Sequence, residues 1–74
     1  MSMVFTNVES TNLSQVGYDK NQKLLEVTFN NGMGYHYYNV EEYVYDNLVL
    51  AESHGLYFNK FVKGKYKYSL IGRR

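Results

Sequence analysis

The sequence has 74 residues with no cysteine, no proline and nine tyrosines, and its formal net charge at pH 7 is +1. This length allows one domain, taken as residues 1–74, and the lack of cysteine excludes a disulfide or a thiolate metal site. The sequence contains no stretch of about 18 apolar residues and no basic start followed by an apolar run. We therefore expect neither a membrane span nor a signal peptide, no membrane partner, and a cytoplasmic location.

The first half of the sequence predicts an antiparallel meander. Residues 1–8 contain only a short apolar stretch and are expected to form a frayed lead-in or an edge strand. Residues 13–18 and 24–29 alternate apolar and polar side chains, which is the pattern of half-buried strands. A third strand is predicted over residues 33–38.

The turn at Asn30-Asn31-Gly32 decides which side chains the second hairpin buries. A two-residue turn would place Val27 opposite His36, whereas a three-residue loop with Gly32 in the left-handed region pairs Val27 with Tyr35. The second register buries two more aromatic residues and sets Glu26 opposite His36 on the solvent side. We therefore predict the bulged three-residue loop.

A main helix is predicted after the third strand. Asn39 is a candidate N-cap and Glu42 stands three residues later, so the two approximate a capping box. The apolar stripe of this helix consists of Val40, Val44, Leu48 and Ala51, with Tyr43 or Tyr45 at its margins. Glu41 and Glu42 are interpreted as residues of the helix start rather than as a catalytic acid–base pair.

A short second helix is predicted over Leu56 to Val62, ended by Gly64. Residues 65–71 begin by alternating lysine and tyrosine and predict an extended piece on the sheet edge, with Tyr66, Tyr68 and Leu70 inward and Lys65 and Lys67 outward. The ends, residues 1–7 and 72–74, are expected to be flexible. The predicted fold class is α+β: a three- to four-stranded antiparallel meander with one main helix and a short second helix.

Charge is divided between two parts of the chain. Residues 1–52 contain seven acidic side chains and two lysines, a net charge of −5, whereas residues 53–74 contain six cations and no acid, a net charge of +6. Cations for phosphates and rings for base stacking make the second part a candidate nucleic-acid surface. These cations are Lys60, Lys63, Lys65, Lys67, Arg73 and Arg74. The alternative is a solvated basic face that keeps the protein soluble or neutralises the acidic helix.

A compact candidate site surrounds the start of the second helix. It consists of Ser53, Gly55, Phe58 and Asn59. Glycine lets a ligand approach the backbone, amides at a helix start attract anions, and an asparagine carboxamide can contact a base edge or a ribose. The alternative gives each residue a structural role: Ser53 caps the helix, Gly55 forms the turn, Phe58 packs in the core, and Asn59 bonds the local backbone.

Metal and catalytic sites are not expected. The two histidines, His36 and His54, lie far apart in sequence and lack the spacing to carboxylates that is typical of metal ligands. Ser53 and His54 are adjacent, and neighbouring residues on a turn or helix do not face each other as a nucleophile and base must. We expect no cofactor.

An ordered series of motifs resembles the KTSC domain over residues 8–70. The motifs are Val16-Gly17-Tyr18-Asp19, Leu25-x-Val27-x-Phe29, Asn31-Gly32, Tyr35-His36-Tyr37, Ser53-x-Gly55-x-Tyr57-Phe58-Asn59 and Tyr66-x-Tyr68. The resemblance implies a small module known as a C-terminal extension of some bacterial lysyl-tRNA synthetases and as stand-alone proteins, a context that suggests RNA binding. His36 stands where the family often has a basic residue, commonly arginine. The family's Tyr-x-Tyr maps onto Tyr35 and Tyr37, which the predicted register makes core residues.

The function predicted from these observations is non-enzymatic binding of nucleic acid, with RNA preferred because of the resemblance. The alternative is a protein-interaction adaptor or inhibitor, encoded by a phage or another mobile element, that grips a host or cognate protein. It would use the basic tail or the acidic helix face formed by Glu41, Glu42, Asp46 and Glu52. An enzyme is not expected, because the sequence contains no nucleophile–base pair and no phosphate loop.

Overall fold

Alternating apolar side chains in the first half of the chain form four consecutive strands, and the C-terminal segment adds a fifth. The structure, a computed structural model, describes residues 3–73. The strands are β1 (Val4–Asn7), β2 (Leu13–Asp19), β3 (Leu24–Phe29), β4 (Met33–Tyr37) and β5 (Tyr68–Arg73), and two helices, α1 (Glu42–Leu50) and α2 (His54–Phe61), lie between β4 and β5 in the chain. All neighbouring strands pair antiparallel in the order β1-β2-β3-β4-β5. The α+β class is confirmed, with five strands rather than three to four.

The hairpin between β3 and β4 has the predicted bulged register. Val27 pairs with Tyr35 and Glu26 with His36, while Gly32 has a φ of 89° and its N–H donates to the carbonyl of Phe29 at 2.9 Å. This left-handed conformation costs glycine little, which explains why the loop closes at Gly32. The register places Val27 and Tyr35 on the face that carries the helices.

The prediction that Glu26 faces solvent is wrong. Glu26 is only 3% exposed, and its Oε1 lies 2.9 Å from Nε2 of His36, so the predicted cross-strand pair forms but is partly buried. The cause is the position of Glu26 on the central strand, directly across from Gly17. The ring of Phe5 lies so close over Gly17 that an added Cβ would come within 2.6 Å of it, and this ring helps to shield the second sheet face.

The main helix begins at Glu42, so the prediction of Asn39 as its N-cap is wrong. Asn39 adopts a left-handed φ of 61°, whereas an N-cap has an extended backbone, as Glu41 does here with φ −72° and ψ 150°. Asparagine tolerates the left-handed region better than most residues, and the turn it makes redirects the chain before the helix. The following residue, Val40, is held by its N–H, which donates to the carbonyl of Lys23 at 2.9 Å, and by its carbonyl, which accepts from the hydroxyl of Tyr18.

The core lies between one face of the sheet and the two helices. Its buried side chains are Leu13, Val16, Tyr18, Leu25, Val27 and Tyr37 from the sheet and Val40, Val44, Tyr45, Leu48, Phe58 and Val62 from the helical layer. Tyr45 is buried in this layer and stacks on Tyr18 with ring centroids 5.4 Å apart, whereas Tyr43 is exposed. The apolar stripe predicted for α1 therefore faces the core, and Tyr45 belongs to the stripe rather than to its margin.

The second helix and the last strand differ from the prediction in their bounds. Helix α2 begins two residues earlier than predicted, at His54, and Ser53 caps it by accepting a hydrogen bond from the N–H of Leu56 at 3.2 Å. Strand β5 begins at Tyr68, so residues 65–67 precede it rather than form its first half. Neither described helix has the length and apolar character needed to cross a membrane.

Most of the end residues for which flexibility is predicted lie in paired strands. Residues 4–7 form β1 and pair with β2, and residues 72–73 belong to β5 and pair with β4. The N-terminal segment therefore takes the edge-strand alternative of the prediction, and the C-terminal residues extend the other edge. Residues 1, 2 and 74 lie outside the described part of the chain.

Candidate functional site

An open groove lies where the helix-covered face of the sheet meets α2. Its volume is about 600 Å³, within the ~300–1,000 Å³ typical of small-ligand sites. Five aromatic rings line it: Phe29, Tyr35, Tyr37, Phe58 and Tyr68. We call this site the aromatic groove.

Four elements bring the five rings together. Tyr35 and Tyr37 are two apart on β4 and so point to the same face, while Tyr68 of β5 pairs directly with Tyr37. The ring of Phe58 on α2 meets Phe29 edge-on with centroids 5.4 Å apart, and Tyr37 at 5.6 Å. Tyr68 lies 5.7 Å from Tyr37 and 6.0 Å from Tyr35. The rings therefore form one continuous cluster that the sheet and α2 hold in place together.

The rings differ in how much of them a ligand can reach. Phe58 and Tyr37 are buried, Phe29 and Tyr35 are half-buried, and Tyr68 is exposed. The buried pair is part of the core and cannot move without disturbing it. Tyr68 is the ring with the largest free surface for stacking.

Burial raises the pKa of Tyr37 to about 12 from its ordinary value of 10.0, and the neighbouring hydroxyls of Tyr35 and Tyr68 add to the shift. At neutral pH the Tyr37 hydroxyl is therefore protonated and able to donate a hydrogen bond. Ionisation of Tyr37 is disfavoured in the folded protein and not in the unfolded chain. The neutral hydroxyl thus contributes stability that is complete below pH 10 and is lost as the pH rises toward about 12.

We expect Tyr37→Phe to flatten the fall in the free energy of unfolding between pH 10 and about pH 12. Phenylalanine has no proton to lose, so this contribution to the pH dependence disappears. Urea unfolding of the natural protein and of the variant across this range measures the difference. Tyr43→Phe on the exposed surface of α1 is the matched control. Identical pH profiles for the natural protein and Tyr37→Phe would contradict the assignment.

Besides the tyrosine hydroxyls, the polar part of the groove consists of three asparagines and one lysine: Asn12, Asn31, Asn59 and Lys63. Asn59 lies near the C-terminal end of α2 and Lys63 in the turn just after it, and both line the groove. Met33 and Gly64 complete the lining, so the described residues that form the groove include no acidic side chain. The groove is therefore electropositive and aromatic.

The three carboxamides differ in their internal hydrogen bonds. The Oδ1 of Asn31 accepts from the N–H of Met33 at 3.0 Å, and the Oδ1 of Asn12 accepts from the hydroxyl of Thr11 at 3.3 Å. The side chain of Asn59 is exposed and makes no hydrogen bond to any residue in the range 3–73. The predicted structural role of Asn59, a bond to local backbone, is therefore not observed.

The predicted cations occupy different parts of the surface. Lys63 lines the groove, and Arg73 lies beside it, where its guanidinium donates to the backbone carbonyl of Asn31. The Nζ of Lys60 lies 5.5 Å from the ring centroid of Phe61, and neither Lys60, Lys65 nor Lys67 lines the groove.

Of the cations in the predicted basic surface, only Lys63 and Arg73 lie at the groove among the described residues, and the binding role of all six stays a prediction. Five of the six cations lie within the described residues, and none of the five forms a salt bridge there; Arg74 lies outside that part of the chain. They remain available to an external anion.

The compact site predicted around the start of α2 does not form. Phe58 and Asn59 line the groove, but Ser53 only caps the helix. Gly55 lies inside α2 rather than in a turn, and a Cβ there would come within 3.3 Å of the Nδ2 of Asn12. Its small size therefore lets α2 approach the loop before β2, which is a packing role.

Sequence reasoning missed the asparagines at the other side of the groove. Asn12 precedes β2 and Asn31 follows β3, and the two strands are antiparallel, so these ends meet. The N–H of Asn30 donates to the carbonyl of Asn12 at 2.8 Å, which fixes the two loops side by side. The strand pairing predicted from the alternating pattern already contained this signal.

The remaining candidate residues have local partners. A ring nitrogen of His54 bonds the carbonyl of Leu48 at 2.8 Å, and within residues 3–73 no group of three or more histidine, cysteine or acidic side chains is placed to hold a metal ion. The acidic helix face is exposed, and one of its members, Glu41, pairs with Lys23 at 3.2 Å.

Comparison with known proteins identifies relatives over most of the chain. The family model described as the KTSC domain matches residues 9–66. A lysine–tRNA ligase of Nostoc punctiforme is 37% identical over 63 residues, which cover 85% of this chain but only 11% of the ligase. The chain thus spans about a tenth of the length of that enzyme.

A small protein and a solved structure match this chain over nearly their full length. An uncharacterized protein of Stutzerimonas stutzeri is 39% identical over 62 residues, covering 82% of this chain and 87% of that protein. The crystal structure of a KTSC domain protein from Yersinia pestis superposes with a TM-score of 0.91 at 32% identity, covering 96% of this chain and all of the other. The five-stranded sheet with two helices is therefore a fold that has been observed experimentally.

Proposed function

This chain belongs to the KTSC domain family, and we propose that it is a non-enzymatic module that binds single-stranded RNA in the aromatic groove. The observation that carries the proposal is the five-ring cluster next to Lys63, in a lining without an acidic side chain. A base stacked on an aromatic ring contributes about 1–3 kcal/mol to binding, and a lysine adds attraction for the neighbouring phosphate. We place this activity in the cytoplasm.

The charge of the groove favours an anionic ligand over a cationic one. Clusters of aromatic rings also bind ammonium groups, through attraction between the cation and the ring faces. Here Lys63 lies in the lining and Arg73 beside it, and both would repel such a ligand. A nucleotide, with a planar base and a negative phosphate, complements both the rings and the cations.

The size of the groove favours an unpaired strand. A volume of about 600 Å³ accepts one small planar ligand, whereas the bases of a duplex are stacked on each other and present only their edges. One relative carries tRNA in its name, as a lysine–tRNA ligase, which supports RNA over DNA. The described cations outside the groove lining, Lys60, Lys65 and Lys67, would add long-range attraction to phosphates, and Arg74 adds one more positive charge to the chain.

Reversing the charge of Lys63 tests the proposal. We expect Lys63→Glu to weaken binding of a labelled single-stranded RNA roughly tenfold at low salt. The slope of log affinity against log salt concentration should become shallower by about 0.7, because one phosphate contact is lost. Lys20→Glu carries the same charge change in the exposed turn at the opposite end of β2 and β3. Fluorescence anisotropy at two salt concentrations measures both variants.

The control defines the outcomes. If Lys20→Glu leaves the affinity nearly unchanged, binding depends on the groove; equal losses in the two variants would mean that only net charge matters and would contradict the proposed site. No binding by the natural protein even at low salt would overturn the RNA function. The adaptor role, using the exposed acidic face that includes Glu42 and Asp46, would then be tested by pull-down.

A further inference from the structure

We infer that the free edge of β1, together with a shallow depression beside it, binds an extended basic segment of a partner protein as a sixth strand of the sheet. The inference is independent of the proposed RNA function, because β1 lies at the edge opposite to β5, whose Tyr68 lines the aromatic groove. In the order of strands, β1 and β5 each have a neighbour on one side only. The open side of an edge strand can pair with an added peptide through its backbone.

The backbone groups of Phe5 and Asn7 point away from β2. The N–H of Val8 donates to the carbonyl of Ser14 at 3.1 Å, and these two residues continue the register of β1 against β2. Bonded pairs alternate along an antiparallel ladder, so Thr6 bonds toward β2 whereas Phe5 and Asn7 face outward. Among the described residues, no backbone hydrogen bond outside the helices and strands involves either of them. Their N–H and C=O groups are therefore open to a partner strand.

The two edges of the sheet differ in how they are protected. Charged side chains, prolines and bulges keep edge strands of soluble proteins from pairing with other chains. Strand β5 contains Arg73 and follows Lys67, and its register against β4 shifts beside Gly72, which has a φ of 92°. Strand β1 has no charged residue and no proline, and its register is regular. It is therefore the edge that accepts a strand, although its four residues limit the contact to a short segment.

A shallow depression of about 450 Å³ lies beside β1 on the helical side of the sheet. Its lining consists of Val4, Thr6, Tyr45, Asp46, Val49 and Leu50. Two of the aliphatic side chains are largely exposed, Val4 at 63% and Leu50 at 80%. Alternate side chains of an added strand would point to this side and cover them. The backbone of β1 would thus supply the pairing, and the depression would favour apolar side chains.

Hydrogen bonds between β1 and α1 form the depression in advance. The hydroxyl of Tyr45 lies 2.9 Å from Oγ1 of Thr6 and 3.4 Å from the carbonyl oxygen of Val4, to which it donates. Tyr45 is itself buried and stacks on Tyr18. The strand and the helix are therefore held in one arrangement, so that binding requires little ordering of this side of the site.

The charge beside the depression favours a basic segment. Asp46 is the charged residue of the lining, and Glu42 lies one turn before it on α1. Both are exposed, and neither forms a salt bridge among the described residues. A lysine or arginine on the added strand would pair with Asp46, whereas the phosphates of a nucleic acid would be repelled. A second copy paired through its own β1 would bring α1 against α1 and set like charges together, which disfavours it.

The test selects peptides from a random octapeptide library on the immobilised natural protein. We expect the enriched peptides to have aliphatic side chains at alternate positions and to contain lysine or arginine. For a synthetic peptide of this set, Leu50→Ser should weaken binding roughly tenfold, because apolar contact is lost. Leu56→Ser is the matched control, since this leucine is 71% exposed on α2 and does not line the depression. It should leave the affinity unchanged.

Two further comparisons test the charge and the backbone pairing. Asp46→Lys should weaken binding of the same peptide roughly tenfold, whereas Glu52→Lys, the same charge change outside the lining, should have a much smaller effect. N-methylation of every second peptide nitrogen should abolish binding in one register and spare it in the other, because only alternate N–H groups of an added strand face β1.

The outcomes separate a peptide partner from other occupants. Absence of enriched peptides, or enriched peptides that bind Leu50→Ser as tightly as the natural protein, would overturn the inference. A dimer of the natural protein in size-exclusion chromatography that Leu50→Ser dissociates would assign the edge to a second copy instead. Saturating peptide should leave the binding of labelled RNA unchanged, so failure of the RNA function and failure of this inference are distinguishable. Circular dichroism of each variant verifies that the fold is retained.

Discussion

Phe58→Ala is expected to lower the free energy of unfolding by about 3–5 kcal/mol. Phe58 is 3% exposed, and its ring packs edge-on against Phe29 and Tyr37, with centroids 5.4 and 5.6 Å away. Removing the ring would leave a cavity beneath the aromatic groove that the surrounding sheet cannot close. A domain of this size has a small stability margin, so a large share of the variant should be unfolded at room temperature. Urea unfolding followed by circular dichroism measures the loss.

Phe61→Ala is the matched control for this prediction. Phe61 lies on the same helix but is 46% exposed, and its main ring contact is with Tyr57 at 4.7 Å. We expect a loss of about 1 kcal/mol, because less apolar surface is buried there. Equal destabilisation by the two substitutions would mean that α2 does not anchor the core through Phe58.

Tyr68→Ala is expected to weaken RNA binding by about 1–3 kcal/mol, or roughly 5- to 150-fold, without unfolding the protein. The ring is 60% exposed, so its removal uncovers little of the core. It is also the most accessible ring of the aromatic groove, and its loss removes a stacking face for a base. Titration of a labelled single-stranded RNA measures the affinity, and thermal unfolding verifies the fold.

Two further variants sharpen the result for Tyr68. Tyr43→Ala removes a tyrosine that is 63% exposed on α1 and does not line the groove, so RNA affinity should stay unchanged. Tyr68→Phe keeps the ring and should retain most of the binding energy. A loss of affinity in Tyr43→Ala equal to that in Tyr68→Ala would indicate a different RNA surface.

Local sequence signals predicted the meander and its register correctly. Alternation of apolar and polar residues identified β2 to β4, and the glycine of the Asn30-Asn31-Gly32 loop selected the one register that buries Tyr35 and Tyr37 on the helical side. Both signals act within a few residues of the chain. Such local preferences survive in the folded protein because the tertiary packing agrees with them.

The errors arose where distant parts of the chain decide the structure. Asn39 was expected to cap α1, but the bond between Val40 and Lys23 holds the chain in a turn that local propensity does not reveal. The alternation of its strand predicts Glu26 on the solvent side, but its place on the central strand, opposite Gly17 with Phe5 over it, shields it. Neither contact can be derived from the residues immediately around these positions.

In the candidate site, too, the individual residues could be predicted from local sequence, but their arrangement in space could not. Sequence reasoning found Lys63, Phe58 and Asn59 as members of the C-terminal segment, but it treated the six cations as one surface. The structure spreads the described cations over the end of α2, the following loop and β5, so only Lys63 reaches the groove lining and Arg73 its edge. Proximity in sequence overestimates proximity in space when the chain changes direction, as it does at Gly64 with its positive φ of 78°.

Between β4 and its neighbour β5, residues 38–67 cross one face of the sheet and include both helices. The pairing of Tyr68 with Tyr37 therefore closes a much longer loop than any of the hairpins before it, and the entropy of loop closure opposes this step most strongly. A nucleotide held in the aromatic groove would contact both α2, inside that loop, and β5, at its end. Ligand and final strand would then reinforce each other, so that occupancy of the groove raises the resistance of the whole domain to unfolding.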